Sequence, residues 1–287
     1  MEDLRSCGAA GRREAHVDIH VRAIEGHGVD QAQIDDVQSD FWVFYSAERE
    51  PDLVFTQWLG IDFEVVDVLN DPGGRERLTQ LGIRKIPAVA KGKEYVFGQN
   101  LEDVAQFVGL SGTGHKPLPP AELVRRWIIV LRAAQRYIRQ IPDDRLAERV
   151  IPNRDRPIRL LAHHVFRIGE AFVETMTEGK EYAEYHAQQP PAEGTMLNGG
   201  EIVEYGDRVI QRIEEWWRTS KGAAPQQPVK TYYGDQPLHE LLERSTWHSA
   251  QHGRQLMALL ERFGIEPDAP LTPGELAGLP LPERLWE

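Results

Sequence analysis

Leu238-His239-Glu240-Leu241-Leu242-Glu243-Arg244-Ser245-Thr246-Trp247-His248-Ser249-Ala250-Gln251-His252-Gly253-Arg254-Gln255-Leu256 decides how the second half of this chain folds. Leu238, Leu241, Ser245, His248, His252, Leu256 and Leu259 recur every three or four residues, the period of one face of an α-helix. The spacing predicts a helix over 238–263, ended by Gly264. Its inward face carries two histidines one turn apart. Two imidazoles so placed can bind one metal ion. A histidine on an inner helix face is also an ordinary hydrogen-bonded core residue, so this pair alone leaves both readings open.

Upstream, the same period predicts helices over 121–140 (Leu123, Trp127, Val130, Leu131, Ala134, Ile138), over 157–176 with Pro157 in the first turn, and over 201–220. Four amphipathic helices with a long second-to-third connection imply a four-helix bundle. In the second helix His164 shares a face with Leu161, Ile168 and Phe172 and points inward, while His163 is expected on its shoulder. Three inward imidazoles are costly to bury without partners. A divalent cation would satisfy them together and keep a coordination position open, the layout of a catalytic site. Arg167 and Glu170 are candidates for groups behind the ligands. His186 is expected to be exposed, Trp216-Trp217 and Tyr232-Tyr233 to be packing aromatics, residues 153–156 to cap the second helix, and the Pro- and Leu-rich tail from Pro267 to wrap a surface.

The first half reads differently. Phe41-Trp42-Val43-Phe44-Tyr45 is a short apolar run expected to be a buried strand, and residues 63–68 alternate like a second. Asn70-Asp71-Pro72-Gly73 is a turn before a short helix over 75–81. Strands over 88–90 and 95–97 flank the turn Lys91-Gly92-Lys93, and a helix over 101–108 closes the unit at Gly109. That order implies a small α/β layer. Residues 1–39 are read as a weakly ordered extension, 40–110 as the α/β unit, 111–120 as a Gly- and Pro-rich linker, and 121–287 as the bundle with its tail. The expected class is thus two-domain α+β.

With 287 residues, the chain is long enough for two domains. Its formal net charge of -12 argues against a nucleic-acid partner, whose phosphates demand a basic surface. No apolar run approaches the roughly 20 residues that span a bilayer, so no membrane partner is expected. The N-terminus lacks the layout of a secretory signal, and the single Cys7, given no role, excludes an intrachain disulfide. A cytoplasmic address is the expectation. Neither a Gly-rich phosphate loop nor a nucleophile elbow is present.

Two resemblances add to this. Ile158-Arg159-Leu160-Leu161-Ala162-His163-His164-Val165, followed far downstream by Trp247-His248-Ser249-Ala250-Gln251-His252-Gly253-Arg254-Gln255, resembles the DinB-like superfamily over roughly residues 120–265. Members are metal-binding four-helix bundles, among them bacillithiol transferases, mycothiol-dependent isomerases and metal hydrolases. The resemblance implies His164, His248 and His252 as metal ligands, and Arg254, at the family's usual basic position, as a candidate group for an anionic substrate. Family members use zinc, nickel, manganese or iron; zinc is favoured here on availability and chemistry.

Gly60-Ile61-Asp62-Phe63-Glu64-Val65-Val66-Asp67-Val68, with Leu81-Gly82-Ile83-Arg84-Lys85-Ile86-Pro87-Ala88-Val89 and Gly98-Gln99-Asn100-Leu101, resembles a glutaredoxin, a thioredoxin-fold family, over residues 40–110. The resemblance implies a cis Ile86-Pro87 bond. It also implies glutathione contacts at Ile86, Pro87, Gln99 and Asn100, with Lys85 or Arg84 as carboxylate partners. The departure is in Tyr45-Ser46-Ala47-Glu48-Arg49-Glu50-Pro51, which lacks the family's cysteine. Without that thiol the unit forms no mixed disulfide. It is left as a scaffold, a glutathione cradle or a specificity lid.

Three functions are compatible with these residues. The first is a metal- and glutathione-dependent transferase or isomerase acting on a small electrophile, with the metal activating the thiol and Arg254 and Glu170 as candidate catalytic groups. The second is a hydrolase using metal-bound water. The third is a non-enzymatic metal-binding stress or adaptor protein. A homodimer is compatible with all of them.

Overall fold

The computed structural model describes residues 41–45, 63–68, 71–84, 86–98, 101–110, 115–150, 156–220, 225–232, 234–282 and 285–286. The expected N-terminal extension with Cys7, the cysteine-free stretch 46–51, Lys85, Gln99, Asn100, residues 153–155 and Tyr233 lie outside them. The described chain is mixed α+β, rich in helix and with small sheets.

The first sheet has the order β2-β1-β3-β4, built from β1 (Phe41–Tyr45), β2 (Glu64–Asp67), β3 (Ala88–Lys91) and β4 (Glu94–Phe97). β1 runs parallel to β2 and antiparallel to β3, which pairs antiparallel with β4. A strand turns alternate residues to opposite faces, and both faces of β1 are buried. Phe41 and Val43 pack with Val104, Ala105 and Val108, around helix α2 (Leu101–Phe107). Phe44 packs on the other side with Val66, Ile83 and Ala88, beside Leu78 of helix α1 (Pro72–Gln80). Burial on both sides is why this strand reads as a continuous apolar run rather than an alternation. α1 starts earlier than expected. Asp71 accepts a hydrogen bond from the Gly73 amide at 2.9 Å, and Pro72 takes the first helical position, so the turn residues are the helix's first turn.

Four long helices make the second body: α3 (Pro120–Gln140), α4 (Ile158–Glu178), α6 (Gly199–Ser220) and α7 (Leu238–Arg262). Between them stand the short helix α5 (Glu184–Gln188), the hairpin β5 (Pro228–Thr231) and β6 (Gly234–Pro237), and, in the tail, α8 (Pro273–Leu276). α5, the hairpin and α8 are too short to show a helical or strand period in the sequence. α3 and α7 run parallel: Trp127 Nε1 donates to Ser249 Oγ at 2.9 Å, and the Tyr137 hydroxyl reaches Met257 Sδ one helical stretch further along both. α4 and α6 are likewise parallel, with Phe166 against Gly206 near their starts and Phe172 against Trp216 further on. The long connection that contains α5 is what lets two consecutive long helices run the same way. Where they cross, Gly169 and Gly206 admit the neighbour: a Cβ on Gly206 would lie 2.7 Å from the Phe166 ring.

The tail runs back along α3 and α7. Arg126 donates to the carbonyls of Gly274 and Glu275, Arg136 to those of Asp268 and Ala269, and the Tyr137 hydroxyl accepts from the Leu271 amide. Among the described residues no helix is long and apolar enough to cross a membrane.

Candidate metal centre

His164 from α4 and His248 and His252 from α7 converge. One nitrogen from each ring can be chosen so that all lie within 4.8 Å of one another. Ring centroids are 4.9 Å apart for His164 and His252, 5.3 Å for His164 and His248, and 4.8 Å for His248 and His252. His252 is fully buried, His164 nearly so, and His248 is partly exposed, so the cluster has one edge toward solvent. Bonds of about 2.0–2.1 Å to one tetrahedral ion put nitrogens roughly 3.3 Å apart. The rings need to approach by at most about 1.5 Å, within the reach of small side-chain rotations.

The backbone under the cluster is fixed. Ser249, between the two α7 histidines, accepts from the Trp127 indole at 2.9 Å and donates to the Val165 carbonyl, next to His164, at 3.2 Å. One hydroxyl thus joins α3, α7 and α4 directly beside the imidazoles. His252 Nδ1 stands 2.8 Å from Gln255 Oε1. The Gln255 amide nitrogen donates to the Leu285 carbonyl at 3.0 Å, so its oxygen is the end turned to the ring. The ring then carries its proton on Nδ1 and a lone pair on the buried Nε2, the tautomer a metal ligand needs. Three imidazole donors, one held in the correct tautomer, fit a divalent transition metal.

His163, on the shoulder of this face, is turned away from the cluster. It is buried against α6, its ring stacked on Tyr205 with centroids 5.0 Å apart and planes 12° from parallel. Consecutive helical residues diverge by about 100°, which separates it from the cluster that holds His164. Burial, helped by the positive charge of Arg167, brings its pKa down to about 4, so it is neutral near pH 7.

Glu170 and Arg167 lie on this second face too. Arg167 is almost fully buried and donates to Glu170 at 2.7 Å and Glu174 at 2.9 Å, and its Nε donates to the His186 carbonyl in α5. The Tyr205 hydroxyl donates to Glu170 at 2.7 Å, and Arg212 stands 3.6 Å from the same carboxylate. Six residues separate Glu170 from His164, about 240° around the helix, so the charge network faces away from the imidazoles. Arg254 lies about 200° from His252 on α7. Its Nη1 donates to Gln251 Oε1 at 2.9 Å and to the Pro282 carbonyl at 2.8 Å, and burial lowers its pKa. Both side chains expected to be catalytic are thus engaged in internal bonds away from the cluster.

Gln255 and Ser249 have no role in the sequence reading above. Their only trace in the sequence is polarity at positions between the inward leucines of α7, which shows burial but not direction. In the sheet unit the Ile86-Pro87 peptide is cis, and Arg84 is exposed.

No family model matches the chain, and no curated protein matches it. Among solved structures it is similar to the crystal structure of the mycothiol-dependent maleylpyruvate isomerase, at 18% identity and a TM-score of 0.40 over 48% of this chain. The chain spans 61% of the length of that protein, under two thirds of it.

Proposed function

We propose that this chain is a metal-dependent enzyme that joins a low-molecular-weight thiol of the glutathione type to a small electrophile, or isomerises that electrophile. The observation that carries the reading is the convergence of His164, His248 and His252 with one edge open beside His248. Zinc fits the all-imidazole set, as do nickel and iron. A cation held there would supply Lewis acidity, lowering the pKa of a thiol or water that joins it.

The protein's own residues divide the remaining work. His252 is held by Gln255 in the tautomer that offers Nε2, and Ser249 keeps α4 and α7 in register. Leu161, Ile168 and Phe172 line the inward side of α4 and keep water from the buried rings. In the transfer, the sulfur loses its proton to solvent and forms a C–S bond as the bond to the leaving group breaks. Glu170 and Arg254 do not enter this chemistry. The glutathione reading of the sheet unit is supported by the sheet order β2-β1-β3-β4. In it, the backbone at Ile86 and Pro87 pairs with the cysteinyl part of the thiol, and Gln99 and Asn100 receive the γ-glutamyl end.

The test is turnover of a chloronitroarene with glutathione, measured with the metal content of the same preparation. Stoichiometric metal, loss of turnover on chelation and its return with zinc are expected. Thiol-dependent turnover that persists without metal would overturn the reading. Ester hydrolysis indifferent to thiol would replace it with the hydrolase.

A further inference from the structure

Behind His252 a chain of hydrogen bonds leaves the bundle and ends in the C-terminal segment. Gln255 bridges the two: its oxygen is 2.8 Å from His252 Nδ1, and its nitrogen donates to the Leu285 carbonyl at 3.0 Å. The same carbonyl accepts from Gln251 Nε2, also at 3.0 Å. Arg254 completes the set, donating to Gln251 Oε1 and to the Pro282 carbonyl. Gln251, Arg254 and Gln255 are spaced three and four residues apart and share one side of α7.

Each link constrains the next. A primary amide can present either end to the ring, and the wrong end would offer N–H to Nδ1 and draw the ring proton to Nε2. The Leu285 carbonyl excludes that orientation, because it accepts only from the nitrogen end. Gln251, oriented by Arg254, holds the carbonyl in place. A tail merely packed on the helix would not need two amides converging on one oxygen, one of them bonded to a candidate ligand.

We propose that Gln255 is the positioning residue for His252 and that the Leu285 carbonyl, anchored by Gln251 and Arg254, sets its orientation, so that metal retention depends on the C-terminal segment. This rests on the metal reading of the imidazole cluster. Loss of such a hydrogen-bond partner lowers metal affinity by about 10–100-fold.

The full-length protein is titrated with Co(II), read by its visible ligand-field absorption and by competition with a chelator. Gln255→Leu is expected to lose about 10–100-fold in affinity and to alter the spectrum. Gln255→Glu keeps an acceptor for the Nδ1 proton while losing the donor to Leu285, and is expected to retain the wild-type spectrum and bind at least as tightly. This second variant keeps the test decisive if the leucine substitution fails to fold. Gln251→Leu leaves the Gln255–His252 hydrogen bond in place and is expected to show a smaller loss of the same sign. Gln255→Leu with wild-type affinity and spectrum, or Gln255→Glu that loses Co(II), overturns the proposal alone. Wild-type protein that takes up no Co(II) overturns the metal reading and this inference with it.

Discussion

His163 and His164 are neighbours in the chain, yet α4 sends them to opposite kinds of environment. On the side of His164, three imidazoles from two helices meet, and the backbone beneath them is fixed by neutral hydrogen bonds from Trp127 and Ser249. On the side of His163, a buried guanidinium, two carboxylates and a phenol are bonded to one another, and the ring itself is stacked on Tyr205 and neutral. The first face gathers three imidazole donors around one point. The second has its own cation in Arg167, and its acceptors are already satisfied. A histidine is thus marked as a ligand less by its burial than by what else its face contains.

The largest effect expected from this contrast is on metal binding. A structural zinc site's roughly 10–16 kcal/mol, divided over four ligands, gives about 2.5–4 kcal/mol for each. His248→Ala is therefore expected to weaken zinc binding by roughly 100–1,000-fold, measured by chelator competition. His163→Ala is expected to cost less than about 10-fold, the lower end of the loss seen for a group hydrogen-bonded behind a ligand. If the two substitutions weaken binding equally, the two faces are not distinct in the way described.

Much of this was legible in the sequence, and the limits of legibility follow from the same contrast. The long helices are visible because their apolar residues repeat at the helical period, and Ser220, Gln140 and Leu238 end or begin them as the pattern predicts. Spacing also puts His248 and His252 on one face, since four residues make one turn. It does not reveal His163, because a residue at a helix shoulder faces solvent or a neighbouring helix according to where that neighbour lies. Here α6 lies close against it, admitted by Gly169 and Gly206. Glu170 shows the same limit: its proximity in sequence to His164 conceals a rotation of about 240° around the helix. Arg254 and Gln255 depend on a tail more than twenty residues away, and no local period encodes that contact.

The second face should answer to stability rather than to metal. Removing one partner from a buried ion pair leaves the others without compensation and costs about 3–5 kcal/mol. Glu170 and Glu174 keep some solvent access, so Arg167→Ala is expected near the lower end, about 3 kcal/mol, measured by urea unfolding of the apo protein. Zinc affinity of the folded variant is expected to stay within about twofold, as for sites with no shared partner. A fall in affinity as large as that of His248→Ala would merge the two faces into one site. Tyr205→Phe is a milder probe. It removes one hydrogen bond to Glu170 and keeps the stacked ring, for an expected loss of about 1–2 kcal/mol.

The smallest effect is also the most selective, because it concerns only how stability changes with acid. Burial by itself would raise the pKa of Glu174, but the hydrogen bond and charge of Arg167, with Lys180 beside it, outweigh burial and lower it from the usual value near 4.5. A carboxylate whose pKa is lowered on folding stabilises the native state above its unfolded pKa, and that contribution disappears as pH falls through the folded one. Glu174→Gln removes the titration and leaves an amide that still accepts from Arg167. The wild-type protein is therefore expected to lose stability more steeply than Glu174→Gln as pH falls below about 4.5, the two curves converging in stronger acid. Unfolding midpoints measured in apo protein across that interval test this, since release of a bound metal in acid would otherwise contribute. Parallel curves would mean that the Arg167 network does not hold Glu174 charged, and that the second face is packed rather than electrostatic.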